Sequence, residues 1–286
     1  MKLKHIILVL MVWGFCGFPL VLIAQLRNYA APTTAKGVSA EMNTAEFWIA
    51  KHPNPDKVIL DQKTIRAMNR RIAQADDSVN LMDGKITAID GKAVRAKIQD
   101  EYEQTRKQNL SIESKPVTAD YWNRLYANLN LENIPDKITP QFGILIAFTA
   151  QRLLPTNDNI NSRTGNTEFD QIQNTAFETG SPHLVLHRTK DGQWLYCISK
   201  SYRGWFAADA MALSPEEDWQ QYNSPTSFIT ITSPKAGIWK DRGVTQYHGF
   251  IRLGNTLPLV NETSAGYQVL CPLRKADGSL SSSSYW

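Results

Sequence analysis

Residues 183–200 read HLVLHRTKDGQWLYCISK, and this stretch decides the fold. Two dense apolar runs, 183–189 and 194–200, flank Lys190-Asp191-Gly192-Gln193, where the Asp-Gly pair suits a tight turn. Apolar runs of strand length around such a turn predict an antiparallel hairpin. Strand patterning continues downstream. Gly204-Trp205-Phe206 starts another strand, residues 207–213 are short and Ala-rich, and Ser214-Pro215-Glu216-Glu217 reads as a cap and first helical turn. Upstream, residues 142–148 form a short apolar strand followed by a loop over 153–167. Phe169, Ile172 and Phe177 then mark one short helix, stopped by Gly180 and Pro182. A second series of short strands lies at 228–232, 237–240, 247–253, 256–260 and 266–273. Their close spacing, with Gly and Pro between them, predicts a second small barrel. The tail, 276–286, is serine-rich and has no identifiable strand partner.

Ahead of residue 140 the period is helical. Order begins at Glu46-Phe47-Trp48-Ile49, and Pro53 and Pro55 break that segment. Asp61 suits the N-cap of a helix on which Ile65, Met68 and Ile72 stripe one face. Residues 76–92 carry Asp83-Gly84 and Asp90-Gly91 around Lys85-Ile86-Thr87-Ala88-Ile89. These pairs predict positive-φ turns around a short strand or irregular loop. Residues 94–108 are polar and helical in pattern. Thr118 caps an amphipathic helix carrying Tyr121, Trp122, Leu125, Tyr126 and Leu129.

The amino terminus reads as an export signal. Lys2, Lys4 and His5 precede an almost unbroken apolar run from 6 to 24, with small residues at Ala24, Ala30 and Ala31. The run is long enough to span a bilayer, so a cleaved signal and a retained anchor both fit. Cys16 follows Trp13 to Phe15, residues too bulky for a lipoprotein box. Residues 25–45, rich in Ala, Thr, Pro, Gly and Ser, form a flexible linker. Without Lys2 and Lys4 the 31 Lys and Arg fall to 29 against 27 Asp and Glu, a net charge of +2. With no basic stripe, that excludes a nucleic-acid footprint. Cys197 and Cys271 each sit within an apolar strand, which favours buried free thiols over a disulfide.

Four motifs taken together are more specific than any of these patterns: Arg152-Leu153-Leu154-Pro155-Thr156-Asn157-Asp158, Phe169-Asp170-Gln171-Ile172-Gln173, His187-Arg188-Thr189-Lys190-Asp191-Gly192-Gln193-Trp194 and Tyr202-Arg203-Gly204-Trp205. This series resembles the first bacterial SH3 domain of NlpC-type cell-wall cysteine peptidases. Residues 46–69, with Asp56-Lys57-Val58-Ile59-Leu60, are similar to that family's N-terminal stabilising segment. Arg252-Leu253-Gly254-Asn255-Thr256-Leu257-Pro258-Leu259 and Leu270-Cys271-Pro272-Leu273 are similar to its second SH3 barrel. The resemblance implies a mainly β protein with an α-helical N-terminal domain and two SH3-like barrels in tandem. The expected layout is a signal or anchor at 1–24, linker 25–45, helical domain 46–138, first barrel 139–214, second barrel 225–275 and tail 276–286.

The family cuts peptidoglycan stem peptides between D-glutamate and a diamino acid. Its catalytic domain follows the second barrel, from a Tyr-x-Trp-Gly-Gly stretch to Asp-Cys-Ser. Neither motif occurs here, and no cysteine follows an Asp. The expectation is an exported periplasmic or envelope protein, anchored to the inner membrane if residues 1–24 stay attached. It binds peptidoglycan stem peptides or another envelope protein, or acts as a cell-wall scaffold, with no catalytic residue, cofactor or metal and no nucleic-acid partner. Its membrane contact is confined to residues 1–24. The alternative is the truncated front portion of an NlpC-type cysteine endopeptidase that cuts at that same bond.

Other constellations have plain readings. His183 and His187, four apart on a strand, would lie about 13 Å apart along one face, as strand surface or barrel rim rather than metal ligands. Glu216-Glu217-Asp218 suits a positive helix N-terminus. Trp194 and Trp205 read as barrel core, whereas Tyr202-Arg203 lies in a turn between strands. The loop 152–158 occupies the position that shapes ligand grooves in SH3-like barrels. The resemblance therefore implies substrate-binding roles for Arg152, Thr156, Asp158, Tyr202 and Arg203. Structural Arg–Asp pairing explains the same residues.

Overall fold

The computed structural model describes residues 36–75, 81–82, 88–162, 167–264 and 266–286. The export segment 1–24, Cys16, most of the linker, the Asp83-Gly84 pair and Lys85 to Thr87 lie outside the described residues. The chain divides into two units, Met1–Lys57 and Val58–Trp286.

In the first unit a 3-10 turn, Ala40–Asn43, leads into helix α1 (Ala45–Ile49). Thr44 caps it, its hydroxyl accepting from the Phe47 N–H at 3.3 Å. The Trp48 indole N–H donates to the Met42 carbonyl at 2.7 Å, while much of the Trp48 ring stays exposed.

The second unit opens with α2 (Gln62–Ala75), capped by Asp61 through the Thr64 N–H at 2.7 Å. Strand β1 (Ile89–Asp90) and helix α3 (Gly91–Arg106) follow. The tight turn expected at Asp90-Gly91 is instead the start of α3. The Asp90 carboxylate accepts from the N–H groups of Lys92 and Ala93, satisfying helix donors that a turn would leave open. Gly91 does not have positive φ. It is needed because a Cβ there would sit 1.7 Å from the Pro135 carbonyl oxygen. Next come β2 (Leu110–Ile112), β3 (Lys115–Pro116), α4 (Ala119–Asn128) and β4 (Lys137–Ile138), which pairs with β1. Thr118 caps α4 as its sequence predicts, accepting from the Tyr121 N–H.

Seven strands then form one antiparallel sheet, with β7 excepted: β5 (Gln141–Leu145), β6 (Thr149–Arg152), β7 (Ile160–Ser162), β8 (Gln173–Phe177), β9 (Pro182–Arg188), β10 (Trp194–Ile198), β11 (Arg203–Ala207) and β12 (Met211–Ser214). The order across the sheet is β12-β5-β9-β10-β11-β6-β8, and β7 pairs with β2. The hairpin β9–β10 is the sheet's centre, and Gly192 takes φ 72° in its turn.

Every residue of β10 is buried because both faces of the sheet are covered. Leu195 and Cys197 pack on one face with Leu145, Val185, Phe206 and Met211. Trp194, Tyr196 and Ile198 enter a larger core with Leu184, Leu186 and Trp205. That core also holds Val94, Ile98 and Tyr102 of α3 and Trp122 and Leu125 of α4. Helices and sheet thus share one interior. At about 25 cal/mol per Å² of apolar surface, this shared burial is the main stabilising term that holds α3 and α4 in place.

No helix forms at Phe169, Ile172 and Phe177: the first two lie in a bend and a turn, and Phe177 ends strand β8, which pairs with β6. Ile172 is buried and its carbonyl accepts from the Leu153 N–H at 2.8 Å, so tertiary pairing overrides the local three-residue spacing. The two histidines also depart from expectation. A bulge between Tyr196 and Cys197 shifts the β9–β10 register, so that Val185 opposes Cys197 and His187 opposes Tyr196. One extra residue in β9 reverses the alternation. His183 therefore joins the Phe206 face, fully buried, while His187 packs on Trp205 at the other face.

Helix α5 (Glu216–Asn223) begins at Pro215, without a side-chain cap from Ser214. It buries Trp219, whose indole N–H donates to the His183 carbonyl at 3.2 Å. The remaining strands are β13 (Phe228–Thr230), β14 (Lys235–Trp239), β15 (Tyr247–Arg252), β16 (Thr256–Thr263), β17 (Gly266–Arg274) and β18 (Leu280–Tyr285). They form a sheet ordered β13-β16-β17-β18 and the separate pair β14-β15. Between them lies a core of Ile231, Ile238, Ile251, Leu257, Val269 and Cys271. The serine-rich tail, read in the sequence as partnerless, is β18. Its backbone pairs with β17 from Val269↔Tyr285 to Arg274↔Leu280, a ladder for which serine side chains need supply little. Trp286 and Trp239 exchange both backbone hydrogen bonds, at 2.6 and 2.8 Å, and tie β18 to β14.

Candidate functional site

The loop after β6 is ordered by its own charges. Arg152 is nearly buried, with one guanidinium nitrogen 2.7 Å from Asp170 Oδ2 and another donating to the Asp158 carbonyl at 2.7 Å. Asp158 Oδ2 accepts from the Tyr121 hydroxyl at 2.8 Å and from Thr156 Oγ1 at 2.9 Å. Burial pushes the Tyr121 phenol well above its ordinary range, so it acts as a hydrogen-bond donor. Arg152, Thr156 and Asp158 are therefore brought together, but their polar atoms are largely turned on one another and on α4. Breaking such a buried pair is costly, which makes this network a clamp holding the loop against the helical layer.

Tyr202 and Arg203 are adjacent and part company. Tyr202 is 46% exposed and its ring meets Phe177 edge-on at 6.5 Å. Arg203 lines a cleft of about 200 Å³ between α3 and the sheet, together with Asp90, Lys97, Tyr196 and Ile198. Leu81, Ile89, Ala93, Val94 and Leu186 give this cleft an apolar floor.

Charge of both signs converges there. Lys97 Nζ lies 3.5 Å from Glu101 Oε1, and the Tyr196 hydroxyl donates to Glu101 Oε2 at 3.4 Å. Burial raises the Glu101 carboxyl above its usual range, opposed by Lys97, Tyr196 and Arg203. Burial and the Glu101 charge raise the Tyr196 phenol strongly. Lys97, Arg203, Tyr196 and the capping Asp90 thus line the cleft around an apolar floor, with Glu101 held by Lys97 and Tyr196. Among the described residues that line it, Tyr196 and Arg203 come from the sheet and Asp90 and Lys97 from the segment packed over it.

Sequence reasoning missed Lys97 and Glu101. Their four-residue spacing on a polar helix was visible, but the facing Tyr196 lies 95 positions away. Trp194 and Trp205 are core residues, as their pattern predicts. Cys197 and Cys271 are free and buried. Burial pushes both thiols up, Cys271 to about 12, the opposite of an activated nucleophile.

No curated protein sequence matches the chain. The structure is similar to that of an NlpC/P60 endopeptidase from Photobacterium damselae subsp. piscicida, with a TM-score of 0.64 and 21% sequence identity. The similarity covers 83% of this chain and 54% of that one, so the chain spans about half the length of that endopeptidase. Residues 158–207, from Asp158 through β11, match the model of the SH3 domain of SH3b1 type. Strands β8 to β11, with Tyr196 and Arg203, thus lie in a bacterial SH3 domain of SH3b1 type, within a fold similar to that of an NlpC/P60 endopeptidase.

Proposed function

We propose that this chain is an exported cell-wall protein that binds the peptide stems of peptidoglycan or serves as a wall scaffold, using the cleft between α3 and its SH3-type sheet. The observation that carries this reading is the cleft's mixed lining: Arg203, Lys97 and Asp90 over an apolar floor, with Glu101 paired to Lys97. Stem peptides present free carboxylates, an amine on the diamino acid and small alanine side chains. The cations suit the carboxylates, Asp90 suits the amine, and the floor suits the methyl groups. The SH3b1-type match and the likeness to an NlpC/P60 endopeptidase favour this ligand over an unrelated envelope protein.

Sedimentation with insoluble murein tests it. The chain is expected in the pellet well above an albumin control, and Lys97→Glu with Arg203→Glu should remove most of that retention. Retention no greater than albumin overturns the proposal. A second reading, the front portion of an NlpC-type cysteine endopeptidase, is favoured by the 54% span of the similar endopeptidase. Reading the DNA beyond the Trp286 codon for Trp-Gly-Gly and Asp-Cys-Ser separates the two.

A further inference from the structure

Helix α2 is amphipathic yet packs against little. Ile65, Met68 and Ile72 are 39%, 38% and 52% exposed, although at about 100° per residue they fall within a ~60° arc. The lead-in Val58-Ile59-Leu60 is also open to solvent. Of the helix side chains whose exposure is described, only Ala67 is partly covered. Opposite the apolar arc stand Lys63, Arg66, Arg70 and Arg71, and no acidic residue occurs between Gln62 and Ala75. Asp61, just before the helix, is occupied as its cap. Asp76 and Asp77 follow the helix in sequence.

We propose that α2 is a membrane-surface helix whose apolar stripe enters an anionic lipid bilayer while its four cations meet the headgroups. Charge complementarity selects this occupant. Pairing two copies through the same stripe would bring eight like charges together, whereas an anionic surface neutralises all four on each chain. An apolar stripe flanked by Lys and Arg is the pattern of helices that lie in the interface plane. A helix of 14 residues without a partner is marginal in water. Lipid would therefore change its stability measurably.

Amide hydrogen exchange on the full chain tests the proposal. The chain is bound to vesicles of phosphatidylethanolamine with phosphatidylglycerol, and separately to vesicles of phosphatidylcholine alone. Comparing the two keeps any contribution of the apolar segment 6–24 common to both. Amides of 62–75 should exchange at least about tenfold slower on the anionic vesicles only, with β10 amides unchanged. The protection should disappear in Arg66→Glu with Arg70→Glu, and also in Ile65→Ser with Ile72→Ser. Equal protection on phosphatidylcholine overturns the proposal, as does no protection on either surface. Protection that grows with protein concentration without lipid assigns the stripe to a second copy and overturns it too.

Discussion

Replacing His183 with leucine should remove most of the acid sensitivity of the SH3-type sheet. His183 has no accessible surface, and its ring lies 4.9 Å from Phe177 and 4.6 Å from Phe206. Neither ring nitrogen has a hydrogen-bond partner. Burial alone lowers its pKa from 6.5 to about 3. The folded state therefore disfavours the charged ring. The associated stability is fully present above the unfolded value of 6.5 and is lost as pH falls toward about 3. At 1.36 kcal/mol per unit, the whole window is worth roughly 5 kcal/mol, and about 2 kcal/mol is gone by about pH 5. Urea unfolding followed by tryptophan fluorescence, at about pH 8 and about pH 5, measures this loss. The wild type should lose about 2 kcal/mol more than His183→Leu between the two conditions. The imidazole carbon-proton signals of His183 should stay those of a neutral ring down to about pH 4.5. An equal pH dependence in both proteins, or a His183 signal titrating near 6.5, would refute the reasoning.

Other consequences follow from single contacts. Gly91→Ala places a methyl 1.7 Å from the Pro135 carbonyl oxygen, so it should cost about 2 kcal/mol or more, read as a lower urea midpoint. Arg152→Met strips Asp170 and Asp158 of their guanidinium and should cost about 3 kcal/mol, whereas Arg152→Met with Asp170→Asn should recover part of that loss in a double-mutant cycle. In a Cys16→Ser background, neither Cys197 nor Cys271 should react with a thiol reagent at about pH 8 until urea unfolds the chain.

The features legible in the sequence are those decided by neighbours along the chain. The Asp191-Gly192 turn, the Thr118 and Asp61 caps and the apolar runs of β9 and β10 each express a local preference that the tertiary structure keeps. Where the chain folds back on itself, local pattern misleads. Phe169, Ile172 and Phe177 mimic a helix, but pairing with β6 makes 173–177 a strand. Asp90-Gly91 mimics a turn, but the carbonyl of Pro135 is the reason for that glycine. The bulge that separates His183 from His187 depends on the register between two strands and leaves no mark within either. The serines of β18 carry weak strand preference, and their pairing is set by β17. The candidate site shows the same division. Arg203 was visible beside its turn, whereas Lys97 and Glu101 gain significance only when α3 docks over Tyr196.

The most direct measurement of the central claim is a titration of the chain with a soluble stem peptide, L-alanyl-D-glutamyl-diaminopimelate, followed by backbone amide chemical shifts. Saturable shifts should concentrate on α3 around Lys97 and Glu101 and on β10 and β11 around Tyr196 and Arg203, and Arg203→Glu should abolish them. The absence of saturable shifts, or shifts confined to other surfaces and indifferent to Arg203, would contradict the account.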